Sequence, residues 1–242
     1  VCLYSTRQSP EEPRDLIIAF CGLANRLQLP TAVFCQHLDG SQFDILLVRD
    51  PSKRIYIEGI PGYAPSLALV ADRFRRELDL DAYGSVYCLG TSGGGWAALM
   101  TGDMLKARRA ISIAGKPPAL TPKLQHVWTS TGGPTADVDF GVFERYFAET
   151  AARFTPMIAL FGADNPADRE GSIAIQRITG AKAIGLMGIA DHNLMFELLN
   201  RRCLARVLRH YLLENLGDNT QLTGETPPPI ETRATEAAKQ DL

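Results

Sequence analysis

Val86-Tyr87-Cys88-Leu89-Gly90-Thr91-Ser92-Gly93-Gly94-Gly95-Trp96-Ala97-Ala98-Leu99-Met100 decides the fold of this chain. Its first four residues are a short apolar run, the pattern of a buried strand. Its last five are good helix formers with an apolar character. Between them lies Gly90-Thr91-Ser92-Gly93-Gly94, a G-x-S-x-G pattern. A serine on a sharp strand-to-helix turn carries an exposed hydroxyl on a strained backbone. Small residues around it let strand and helix approach without a clash. The pattern alone recurs by chance, and a serine there can simply cap the helix. The strand–turn–helix context makes Ser92 a candidate nucleophile.

Outward from this turn, strands alternate with helices. Strands are expected at 15–20 (DLIIAF), 43–48 (FDILLV), 110–114 (AISIA), 157–161 (MIALF) and 181–187, with 55–57 as a short extension. Helices are expected at 65–80, 140–154 and 168–178, and one long helix at 194–213. Such alternation implies a parallel sheet covered on both faces. Residues 116–138 read as loop. Residues 1–216 make one α/β domain, and 217–242, polar and with Pro227-Pro228-Pro229, read as a disordered tail or linker. A first residue of Val rather than Met fits a piece cut from a longer protein, and no leader of basic then apolar residues is expected.

A serine hydroxyl needs a base in hydrogen-bond reach and an acid to orient that base. Of His37, His126, His192 and His210, only His192 follows a late strand. It is the candidate base. The acid should follow strand 157–161, where Asp164 and Asp168 both stand; Asp164 is nearer the strand, and Asp168 could equally cap the next helix. Spacing does not separate them, and Asp191 is a weaker third. All these residues fall just beyond strand C-termini, where parallel sheets place their ligands.

The chain order Ser, Asp, His is that of the α/β-hydrolases. From 15 to 213 the chain resembles that superfamily, through Gly90–Gly94, the 162–168 loop and the 188–193 loop. More narrowly, Arg49-Asp50-Pro51, Tyr56-Ile57-Glu58-Gly59-Ile60-Pro61-Gly62 and the 162–168 loop are similar to a small group of short bacterial hydrolase-like proteins. Some of that group are similar to proteins linked to surface-polysaccharide biosynthesis. The resemblance favours Asp168 as the acid, with Asn165 before it. It implies an α/β-hydrolase fold with a minimal cap. It also implies oxyanion donors at the amides of Gly93 and Leu23, with Gly22 letting the backbone approach. Many relatives carry His-Gly where this chain has Cys21-Gly22, a change that a backbone donor tolerates. Asn25 and Arg26 could bind a polar or anionic group or cap a turn. The cap would run from 115 to 155. Its Trp128, Phe140, Phe143 and Tyr146 either line an apolar wall or pack as core.

Composition excludes other classes. Net charge is −2 over 242 residues, which gives no footprint for a nucleic acid. There is no membrane-length apolar run, no phosphate-binding G-x-x-x-x-G-K, no dinucleotide fingerprint and no zinc spacing. No cofactor and no metal are expected. The five cysteines, without a C-x-x-C pair, read as buried reduced thiols of a cytoplasmic protein. The leading expectation is a serine hydrolase that cleaves an ester or thioester through an acyl-enzyme, on a small-molecule or glycan-linked acyl substrate. The alternatives are an acyltransferase to a sugar or other hydroxyl on the same residues, and a non-catalytic module of a larger protein. The oligomeric state is left open.

Overall fold

The computed structural model describes residues 1–5, 14–38, 42–121, 138–150 and 153–214. Among these, seven strands form one sheet: β1 (Cys2–Tyr4), β2 (Asp15–Phe20), β3 (Phe43–Val48), β4 (Val86–Thr91), β5 (Arg109–Ile113), β6 (Met157–Gly162) and β7 (Lys182–Leu186). Their order across the sheet is β1-β3-β2-β4-β5-β6-β7. β1 runs antiparallel to β3, and every other pairing is parallel. β4, which delivers Ser92, is the central strand.

Strand alternation feeds two cores. Leu16, Ile18 and Phe20 of β2 point into one, and Ile17 and Ala19 into the other. The first core is closed by α2 (Leu67–Glu77), α3 (Gly95–Leu105), α4 (Val142–Glu149) and α5 (Pro166–Thr179), through residues such as Val70, Phe74, Trp96, Phe143 and Ile175. The second is closed by α1 (Thr31–Gln36), α6 (Leu194–Asn200) and α7 (Leu204–Leu208), through Phe34, Leu198 and Leu204. α3 is buried along Gly95–Asp103, as befits the central helix behind the serine. α2 starts on Ser66, whose side chain accepts from the Leu69 amide. α5 ends at Gly180 with φ +73°, the left-handed stop that glycine allows.

The structure departs from the sequence reading at five places. Residues 55–57 are not a strand extension: Ile55 and Tyr56 have φ of 48° and 66°. The buried Asp50 carboxylate accepts from the amides of Ser52 and Tyr56 and gathers this stretch into a turn. The long helix 194–213 is broken after Asn200. Its buried residues step from Leu198 to Cys203, five positions where a helix allows three or four, and the chain resets through Arg202 at φ 55°. Beyond α7 the backbone widens into a π-turn over Arg209–Leu213. β1 and α1 carried too few periodic residues to be expected. Cys2 is exposed on β1, and Cys35 half-exposed, while Cys21, Cys88 and Cys203 are buried; all five are free thiols. Phe143 and Phe147 pack as core and Tyr146 bonds to Asp103, so the α4 aromatics are not a pocket wall. Trp128, His126, residues 122–137 and 151–152 of the expected cap and the 217–242 tail lie outside the described residues.

Candidate active site

The turn after β4 is built for close contact. Ser92 has φ 51°, a strained conformation for a residue with a Cβ. A Cβ on Gly90 would stand 2.1 Å from the Gly94 carbonyl oxygen, and one on Gly94 2.5 Å from the Phe20 carbonyl oxygen. A Cβ on Gly95 would stand 2.2 Å from Ser112 Oγ. Glycine is therefore required where strand, turn and helix touch. The result lifts Ser92 above the C-terminal edge of the sheet.

His192 stands six residues beyond β7 and Asp168 six beyond β6. The structure brings both to Ser92. His192 Nε2 lies 2.9 Å from Ser92 Oγ, and His192 Nδ1 lies 2.8 Å from Asp168 Oδ1. A carboxylate only accepts, so Nδ1–H donates to Asp168 and Nε2 is left to accept from the serine hydroxyl. The Asp168 side chain is 2 % exposed and that of His192 44 %. Imidazole is thus open to a ligand, and its partner is shielded from water. Asp168 sits in the first turn of α5 but does not cap it. Asn165 is the cap, and its Oδ1 accepts from the Asp168 amide. This frees the Asp168 carboxylate for the imidazole. Asp164 is exposed and does not meet His192, and Asp191 bonds within its own turn to Asn193.

The histidine loop is tied from both sides. Asn165 Nδ2 donates to the Ala190 carbonyl, and Gln28 Nε2 donates to the His192 carbonyl at 2.7 Å while Gln28 Oε1 accepts from the Met195 amide. Gln28 carries no local sequence signal, because its partner is 164 residues away.

The loop after β2 faces Ser92. A Cβ on Gly22 would stand 3.2 Å from Ser92 Cβ, so glycine permits the approach. The Gly22 amide is taken by the Arg26 carbonyl, and the Asn25 amide by the Gly22 carbonyl. Asn25 and Arg26 thereby form the turn; neither lines the pocket at Ser92. The Leu23 nitrogen lies 4.0 Å from where a Cβ on Gly93 would be, so the loop after β2 runs beside Gly93. Tyr56 holds this loop from beneath. Its hydroxyl is 2.9 Å from both the Cys21 and Val48 carbonyl oxygens, at the ends of β2 and β3. Burial pushes the Tyr56 hydroxyl well above its ordinary pKa, and the Cys21 thiol up to about 11. Neither ionises near neutrality, so neither competes with Ser92 as a nucleophile.

A cavity of about 200 Å³ opens at the serine, bounded by Leu23, Ile55, Gly93, Ala114, Lys116, Thr121 and His192. The sequence reading missed Ile55, Ala114, Lys116 and Thr121. Ile55 and Ala114 have φ of 48° and 49°, conformations that no residue pattern announces for these types. Among the described residues no group of histidine, cysteine and carboxylate side chains could hold a metal ion. No helix among them is long and apolar enough to cross a membrane.

No protein-family model and no curated protein sequence matches the chain. Solved structures do. The esterase-named Est1E from Butyrivibrio proteoclasticus is 16 % identical with a TM-score of 0.55, over 86 % of this chain and 92 % of that one. RedJ, the thioesterase of the prodiginine pathway in Streptomyces coelicolor, is 18 % identical with a TM-score of 0.51, over 86 % and 93 %, in a form with a PEG molecule bound in its active site. YbtT, the type II thioesterase of the yersiniabactin biosynthetic pathway, is 14 % identical with a TM-score of 0.50, over 86 % and 96 %. The match extends over nine-tenths or more of each of these three chains, and the protein has the α/β-hydrolase fold.

Proposed function

We propose that the protein is a serine hydrolase that cleaves a small ester or thioester through an acyl-enzyme. The observation that carries this reading is the unbroken hydrogen-bond chain Ser92–His192–Asp168 at an open cavity. In this reading Ser92 Oγ attacks the acyl carbonyl as its proton passes to His192 Nε2. Asp168 keeps the imidazole in the accepting tautomer and stabilises the imidazolium that forms. The amides of Gly93 and Leu23 receive the negative charge on the carbonyl oxygen. His192 returns the proton to the departing alkoxide or thiolate, leaving an acylated Ser92. Water, deprotonated by His192, then releases the acid. The esterases and thioesterases of the same fold support the reaction class.

A fluorophosphonate tests it directly, because the probe phosphorylates an activated serine and needs no known substrate. The wild-type protein should label on Ser92, and Ser92→Ala and His192→Ala should not. A folded wild type that stays unlabelled overturns the proposal.

Tyr56 adds a positioning role. Tyr56→Phe removes the hydroxyl from under the Cys21 carbonyl and leaves that buried acceptor unpaired, at a cost of about 1–2 kcal/mol in stability. The Leu23 amide, two residues on, gains freedom. The expected result is a fall in kcat of about tenfold, the share of one loosened oxyanion donor, with KM changed little. An unchanged kcat in a destabilised variant would reduce Tyr56 to a structural role.

A further inference from the structure

We propose that the cavity at Ser92 selects a short acyl ester bearing a negative charge, with Lys116 as the residue that reads that charge. The inference rests on the serine-hydrolase reading and names its substrate class. Lys116 stands three residues beyond β5, and its backbone has little room to move. A Cβ on the preceding Gly115 would stand 2.1 Å from Ser112 Oγ and 3.3 Å from the Ser92 carbonyl oxygen. The side chain is held as well. A Cβ on Gly171 of α5 would stand 2.5 Å from Lys116 Cγ and 3.3 Å from Lys116 Cβ. Glycine at 171 is what makes space for the lysine stem. A stem fixed this way loses less rotamer freedom when its ammonium binds a ligand.

Lys116 is half-buried and makes no ion pair or hydrogen bond among the described residues. The carboxylates of the loop and helix after β6 are engaged elsewhere. Asp168 is buried on His192, while Asp164 and Glu170 face a separate groove along α5 with Arg169 and Arg177. The remaining cavity wall offers apolar Leu23, Ile55 and Ala114 and one hydroxyl, Thr121. A lysine without a partner among the described residues, on the wall of the cavity that holds Ser92, favours a ligand with a carboxylate or similar anion on a short chain.

Two ester pairs that differ only in charge test this. On the acyl side they are mono-4-nitrophenyl adipate and 4-nitrophenyl hexanoate. On the leaving-group side they are 4-acetoxybenzoate and its methyl ester. In one pair the wild type should favour the anion by about tenfold in kcat/KM, a modest value for a charge pair near water. Lys116→Met should remove that preference, and continued fluorophosphonate labelling of Ser92 in the variant would show that the serine is still activated. Preference retained in Lys116→Met, no preference in either pair, or equal losses on charged and neutral esters would each overturn the proposal. Equilibrium binding of adipate itself needs no catalysis. If wild type fails to label yet binds adipate, and Lys116→Met does not, the anion site stands and the hydrolase reading falls. If neither protein binds adipate and neither shows charge preference, the anion site falls, whatever the labelling.

Discussion

Ser92→Ala is expected to lower kcat/KM on any ester the protein turns over by about 10⁴- to 10⁶-fold, with the fold and the thermal midpoint essentially unchanged. The size follows from what the hydroxyl does in the proposed mechanism. Without Oγ there is no acyl-enzyme, and only the cavity and the oxyanion donors remain to assist direct attack by water. His192→Ala should cost a similar factor, and the double variant little more than either, because the two groups act in one proton transfer and their effects do not add. Asp168→Asn separates the roles further. The amide preserves shape but can donate to Nδ1, which turns the imidazole to the tautomer that cannot accept from Ser92. About 10³- to 10⁴-fold is expected there. Asp164→Ala, an exposed change away from His192, should stay within about threefold. Steady-state kinetics on a 4-nitrophenyl ester, with circular dichroism to verify folding, measures all five proteins. A large loss at Asp164 with a small one at Asp168 would reverse the assignment of the acid.

How much of this was legible before the structure depends on whether the information is local. The serine turn was legible because its physics is local: apolar strand, four glycines around the serine, apolar helix, all within fifteen residues. The strands from β2 to β7 were legible for the same reason, since each is a short, mainly apolar run. The acid was not. Asp164 and Asp168 stand four residues apart on either side of the start of α5, and the distinction turns on Asn165 taking the cap and on the chain after β7 bringing His192 to Asp168. Those are tertiary facts. Gln28 and Tyr56 were invisible as supports for the same reason: their partners lie across the sheet edge, and each acts through a carbonyl, which no residue type reveals. Lys116 was passed over because a lone lysine in a loop is ordinarily a solvated surface residue. Its meaning comes from Gly171, 55 positions away, which opens the space for its stem. The helix break at Arg202 was not readable, because Leu199 and Cys203 are four positions apart and keep helical spacing in the sequence.

The serine turn also predicts the largest effect on stability, at a residue that takes no part in the chemistry. Gly90→Ala places one methyl group 2.1 Å from the Gly94 carbonyl oxygen and 2.9 Å from Ala98 Cβ. Backbone cannot rotate away as a side chain can, so β4 and α3 must separate. Overpacking a core commonly costs 1–3 kcal/mol, and a collision with main chain should reach about 3 kcal/mol or more. For a domain of this size that is a drop of about 6–12 °C in Tm. Gly180→Ala is the instructive contrast. Gly180 has φ +73° and nothing within 4 Å of an added Cβ, so its penalty is conformational alone, about 1 kcal/mol. If space rather than backbone conformation makes glycine necessary at 90, thermal unfolding should rank Gly90→Ala well below Gly180→Ala. Equal midpoints would refute the steric account. The surviving folded fraction of Gly90→Ala should also react more slowly with a fluorophosphonate, because the displaced turn is the one that aims Ser92 at His192. Close packing and nucleophile placement are thus a single requirement in this turn: the contacts that hold β4 against α3 also set the direction of the serine hydroxyl.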